Sequence, residues 1–141
     1  MKHVEGTKVR ESLAHQIRVY LCGKLGDPEP FNPIQTEGLE IGISHYQEFT
    51  VEKPHLHTWN HEYNVVKSGS VKVYVFDEHQ EFEFQQDDMY MIEPNMPYIT
   101  KAQPGTEVIF VKSPGGNDKE LVPVTDSMKK WGETWESKME E

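Results

Sequence analysis

KPHLHTWNHEYNVVKSGSVKVYVF, residues 53–76, is the stretch that decides the reading of this chain. Three of its seven histidines fall within seven residues here; a glutamate follows at once, and then a run of strand-forming residues. His55 and His57 stand two apart, so on a strand both imidazoles leave the same face. Glu62 comes five residues after His57, and residues 58–61 suffice for a turn that returns its carboxylate beside the imidazoles. Two histidines and one carboxylate on one side of an ion form the facial set typical of non-haem Fe(II), acceptable also to Mn, Ni, Co or Zn. Gly69 then supplies a tight turn into the strand that follows.

Outward from this stretch the period of two persists. Leu39, Ile41, Ile43 and His45 alternate with Glu40, Gly42, Ser44 and Tyr46, and Val71, Val73 and Val75 alternate with Lys72, Tyr74 and Phe76. Phe82 and Phe84, and then Val108 and Phe110, repeat the pattern between polar turns, which predicts an all-β sandwich or barrel rather than a βαβ fold. Before it, residues 8–24 hold a short helix or an edge strand, and residues 26–38 form a loop dense in Pro and Gly. After it, Asp126 is placed to cap a helix whose Met128, Trp131, Trp135 and Met139 form one apolar stripe against an open end or edge of the sheet. The glycine-rich run over 113–117 opens no clear helix and is not read as a phosphate cradle.

Composition narrows the function. The 141 residues match one domain. A formal charge of −10, with no block of Lys or Arg, repels phosphate backbones and anionic lipid, so neither nucleic acid nor membrane is an expected partner. Cys22 is the single cysteine, which excludes an intrachain disulfide and a thiolate zinc cage. No apolar run has signal-peptide length, and the expected location is the cytoplasm.

The string H-x-H, four residues, E, six residues, G resembles the first signature of the cupin superfamily, carried by His55, His57, Glu62 and Gly69. That resemblance implies a jelly roll of two antiparallel sheets, the cupin double-stranded β-helix, with a metal held inside by the two histidines and the glutamate and one more histidine from a second motif. The stretch DDMYMIEPNMPYIT, residues 87–100, resembles that second motif, G-D-x-x-x-I-P-x-G-x-P-H, in part. Asp88, Ile92 and Pro97 match, Asp87 and Asn95 replace the glycines, Glu93 replaces a proline, and Tyr98 replaces the final histidine. Asn95 suits a positive φ. The resemblance divides the chain into an opening segment over 1–38, a cupin core over 39–112, and a loop and helix over 113–141 that pack on it.

Tyr98 has two readings at the ion: a fourth ligand or proton donor, or a hydroxyl aimed at substrate. A third possibility is a roll without metal in which Tyr98 packs and the histidines keep a polar cavity. Asn64 shares the parity of Glu62 and points inward, where an unpaired amide asks for a ligand. His61 is a candidate substrate contact at the mouth, and Trp59 a candidate cover for the entrance; surface and packing roles stand beside these. Glu62 and Tyr98 are the candidate catalytic groups. The resemblance implies one divalent metal ion and a small oxygenated, carbohydrate-like substrate, with isomerisation or epimerisation leading, dioxygenation next, and a non-catalytic ligand-binding module as the third reading. The expected assembly is a homodimer.

Overall fold

Alternation along a strand does not say which face is the inner one, and on the strands Ser70–Val75 and Tyr98–Ala102 both faces are covered. The structure, a computed structural model, describes residues 1–26 and 31–140; residues 27–30 of the turn-rich loop and residue 141 lie outside the described residues. In chain order the elements are α1 (Gly6–Leu13), β1 (Arg18–Gly23), β2 (Ile34–Gln35), β3 (Glu40–Tyr46), β4 (Thr50–Val51), β5 (His55–His57), β6 (His61–Ser68), β7 (Ser70–Val75), β8 (Gln80–Gln85), β9 (Met89–Ile92), β10 (Tyr98–Ala102), β11 (Thr106–Ser113), β12 (Lys119–Leu121) and α2 (Asp126–Trp131). The strands form two sheets. One runs β2-β1-β3-β11-β6-β9, and the other runs β12-β5-β10-β7-β8, with β4 also on β10. All pairings are antiparallel except β1 with β2.

The inner faces meet in a core of Val66, Val71, Val73, Val75, Ile92, Ala102 and Val108, flanked by Phe82 and Phe84. On the outer face of the first sheet, α1 packs Val9 and Leu13 against Val19 and Ile43; residues 8–24, expected to hold a short helix or an edge strand, hold a helix and then a strand that is paired on both sides, with β2 and β3. The β1 strand belongs to the roll itself, since Arg18 and Tyr20 line its interior. No helix among the described residues is long and apolar enough to cross a membrane.

Two turns show why the motif residues are where they are. Gly69 has φ +78°, and a Cβ there would meet Thr106 Oγ1 at 2.3 Å, so the β6–β7 turn closes only with glycine. In the second motif, Asp87 and Asn95 take φ 74° and 63°, filling the glycine positions with residues that tolerate the left-handed region.

The C-terminal stripe is buried at Met128 and Trp131 and half-buried at Trp135 and Met139, and it differs from the expected helix. Thr125, not Asp126, is the N-cap, accepting from the Met128 amide, and α2 stops at Trp131 before Gly132. Its last turn ends against lysines projecting from the outer face of the second sheet. Lys101, fully buried, donates from Nζ to the carbonyls of Trp131, Thr134 and Ser137 at 2.7, 2.9 and 3.0 Å, with its ammonium 4.1 Å from the Trp131 ring centre. Lys72 likewise donates to the Trp135 carbonyl. These ammonium groups satisfy carbonyls that a longer helix would have paired internally, and they hold the segment without helical geometry. Lys101→Met keeps the stem and removes the donor for all three carbonyls. It is expected to destabilise the fold by about 3 kcal/mol, read from the urea midpoint; a loss below about 1 kcal/mol would mean that the carbonyls find other partners.

Candidate metal and ligand site

Strand β5 carries the two imidazoles to one end of the roll. His55 Nδ1 lies 2.7 Å from the Lys53 carbonyl, which only accepts, so Nδ1 carries the proton and Nε2 keeps its lone pair. Burial is the main reason the His55 pKa falls to about 4, leaving a neutral ring at pH 7. His57 Nδ1 donates to Asp118 Oδ1 at 2.8 Å. Its Nε2 is buried without a hydrogen-bond partner and stands 3.6 Å from Glu62 Oε2. Burial alone would lower the His57 pKa, but the carboxylates of Glu62 and Asp118 outweigh it and leave it raised. Burial alone would raise that of Glu62, yet His57, Lys112 and Tyr98 together hold it at about 2.

This donor chemistry fits a divalent cation. A ligating histidine usually gives its other N–H to a carboxylate or carbonyl, and both rings do so here. The rings are perpendicular, 89° apart, with centres at 5.1 Å. Two imidazoles bound at about 2.1 Å to one ion and roughly 100° apart would place their centres about 5 Å from each other. The third donor is less ready. Among the described residues no group of three or more His, Cys, Asp or Glu side chains is gathered to hold an ion as it stands, so the closed three-residue cage that the spacing predicts is not preassembled. One oxygen of Glu62 is already taken, since Oε2 accepts from the Tyr98 hydroxyl at 2.8 Å.

Tyr98 is the register partner of His55, and the two rings lie 4.5 Å apart. Burial and then the Glu62 charge push its pKa up, so here it is a neutral phenol that donates. Asn64 lines the same cavity as its parity requires, buried, with Nδ2 unpartnered. His61 and Trp59 do not line it. His61 alternates with Glu62 and so faces the opposite side of β6, opposite Ser113. Trp59 is 48% exposed, with Nε1 donating to the Gly115 carbonyl beyond the cavity.

The cavity has a volume of about 150 Å³. Beside the residues expected from the motif, its wall holds Arg18, Ser44, Tyr46, Glu52, Lys112, Asn117 and Lys119. Arg18 donates to Ser44 Oγ and Glu52 Oε1, both at 2.8 Å, and Tyr46 donates to the same Glu52 oxygen. Asp118 is the other residue the motif does not announce. It is buried and accepts from His57, the Asn60 side chain and the backbone amides of Trp59 and Asn60. The only sequence signal for it is an acid two residues beyond a glycine pair.

No protein-family model matches the chain, and no curated protein matches it. Solved structures do. KdgF from Halomonas sp. is 21% identical over 59% of this chain and 76% of that chain, with a TM-score of 0.53. A conserved protein with a double-stranded β-helix domain from Klebsiella pneumoniae is 16% identical over 70% and 87%, with a TM-score of 0.55. Oxalate decarboxylase from B. subtilis is 17% identical with a TM-score of 0.54; the match takes in 62% of this chain but only 25% of the decarboxylase. Two facing antiparallel sheets, the histidine pair on an inner strand and these likenesses agree: the chain has the cupin fold, the double-stranded β-helix that its histidine motif resembles.

Proposed function

We propose that this protein is a metal-dependent cupin enzyme acting on a small oxygenated molecule by isomerisation or epimerisation. The observation that carries the reading is the pair of imidazoles whose Nδ1–H groups are tied back to Lys53 and Asp118 while Nε2 of His57, buried and unpaired, stands beside Glu62. His55, His57 and Glu62 would hold the ion. When bound it would act as a Lewis acid on a substrate oxygen. The remaining chemistry belongs to the chain: the Tyr98 hydroxyl donates to Glu62 Oε2 at 2.8 Å, and Asn64 Nδ2 offers an unused donor. A phenol donor beside a carboxylate acceptor suits proton transfer at a carbon next to a carbonyl, which favours isomerisation over dioxygenation. The likeness to oxalate decarboxylase supports chemistry on a small oxygenated compound. A second reading, a ligand-binding roll without metal, is favoured by the absence of a preassembled three-residue cage among the described residues.

Elemental analysis of untagged protein separates the two. About one divalent ion per chain is expected, falling below one tenth in His55→Ala, His57→Ala or Glu62→Ala. Asp118→Asn should weaken the metal about tenfold or more while all three ligands remain. Clearly substoichiometric metal under every divalent supply would leave only the second reading.

Tyr98→Phe is expected to keep both fold and metal and to lose 10²-fold or more in turnover, as removal of a positioned proton donor does. Unchanged turnover and ligand affinity would assign Tyr98 to packing.

The proposed homodimer would use the edge strand β9. Val65, Met89 and Met91, at 37%, 58% and 41% exposed, lie together on the outer face of β6 and β9, whereas Trp131 is fully buried on its own sheet and is unavailable. Light scattering should give twice the chain mass at tens of micromolar, and Met91→Asp should return the monomer; a monomeric wild type would end this assignment.

A further inference from the structure

The charge inside the roll opposes the charge of the chain. The whole sequence carries −10, yet the cavity wall holds three permanent cations, Arg18, Lys112 and Lys119, against two carboxylates, Glu52 and Glu62. Glu52 is already engaged by Arg18 and Tyr46. The ion pairs of the described residues include neither Lys112 nor Lys119.

Both lysines stand on the cavity face by register. Lys112 pairs with Glu62 across β11–β6, and Lys119 pairs with His57 across β12–β5, so the two ammonium groups flank the histidine centre from opposite sheets. Phe110 gathers the cations further. The Lys112 ammonium lies 5.5 Å and the Arg18 guanidinium 5.7 Å from the centre of its ring. The ring lies against Gly42, where a Cβ would stand 2.2 Å from Phe110 Cζ. Like charges gathered on one cavity wall are relieved by an anion that offsets their repulsion. Asn64 Nδ2, buried and without an acceptor, adds an unused donor on the same wall.

We propose that the cavity selects a small carboxylate, a hydroxy- or keto-acid, whose carboxylate is held between Lys112 and Lys119 while its neighbouring oxygen is presented to the histidine centre. This inference rests on the reading that the cavity takes a small oxygenated molecule, and it replaces a neutral sugar by an acid. Glu52 is engaged by Arg18, which leaves Lys112 and Lys119 as cavity cations without an ion-pair partner among the described residues, and a carboxylate held between them offsets their charge. The volume of about 150 Å³ restricts the acid to a short carbon chain.

The test is titration of the full chain, followed by NMR at fixed ionic strength, with lactate and pyruvate as carboxylate probes, glycerol and dihydroxyacetone as neutral counterparts of similar size, and inorganic phosphate. The two acids should bind at least tenfold more tightly than the neutral pair and more tightly than phosphate. Lys112→Met and Lys119→Met should each lower acid affinity about tenfold and leave neutral binding unchanged. Lys119 is exposed, so its variant carries the test should Lys112→Met fail to fold. Equal or tighter binding of the neutral probes, preference for phosphate, or lysine variants with wild-type acid affinity would each overturn the proposal. Metal analysis of the same samples keeps the two ideas apart. Full metal without acid preference removes this inference alone, and acid preference without metal removes the metal-dependent reading alone.

Discussion

A single buried carboxylate, Asp118, holds the candidate site together. It receives four hydrogen bonds, from the His57 ring, the Asn60 amide and two successive backbone N–H groups. These donors outweigh the burial that would otherwise raise its pKa, and the carboxyl stays ionised below its usual range. A charged group desolvated to this extent is stable only with such a set of partners, so removing any one leaves the rest underpaid in hydrogen bonds. The consequence is geometric. The turn between β5 and β6 is pinned from outside the two strands it joins, and that turn fixes how His57 and Glu62 face each other at 3.6 Å.

The same logic of a charge satisfied by distant backbone recurs on the far side of the roll. Lys101 is buried among three carbonyls from the segment after α2, and burial brings its pKa down to about 8. On the first sheet, Glu107 gathers Arg10 from α1 and Lys67 from β6. Each flank of the chain is thus fastened to the roll by an ionic group on a strand, and apolar burial supplies the bulk of the contact. The opening segment ends up contributing Arg18 to the cavity, and the closing segment contributes Asp118 and Lys119.

These contributions mark the limit of what the sequence made legible. The motif from His55 to Gly69 could be read because its spacing is local: parity places two rings on one face, and a positive φ requires glycine at the turn. Asn95 could be read for the same reason, and Asp87, φ 74°, takes the same region at the other glycine position. Asp118, Arg18 and Lys119 could not, since they reach the site across sheet pairings between β1 and β3 and between β12 and β5, which no local pattern encodes. His61 and Trp59 were drawn toward the site by proximity in sequence, and strand parity and the Asp118 anchor send them elsewhere. The C-terminal stripe was correct as burial and wrong as a long helix, because Lys101 and Lys72 satisfy its carbonyls in a way that helical periodicity does not anticipate.

Tyr98 shows how one substitution can change a site without emptying it. An imidazole in its place would share the pocket with His55 and His57 and offer a lone pair; a phenol beside Glu62 offers a proton instead. Burial and the Glu62 charge both favour the neutral phenol, and its hydrogen bond helps to keep Glu62 ionised. The pair therefore stabilises one arrangement, with carboxylate as acceptor and hydroxyl as donor, at the cost of an oxygen that would otherwise be free. A cation near His57 would compete with the Tyr98 hydroxyl for Glu62, and a donor displaced from Glu62 would be left to face whatever oxygen lies in the cavity. In that geometry binding at the histidines and the turning of the Tyr98 hydroxyl toward a ligand are two sides of the same contact.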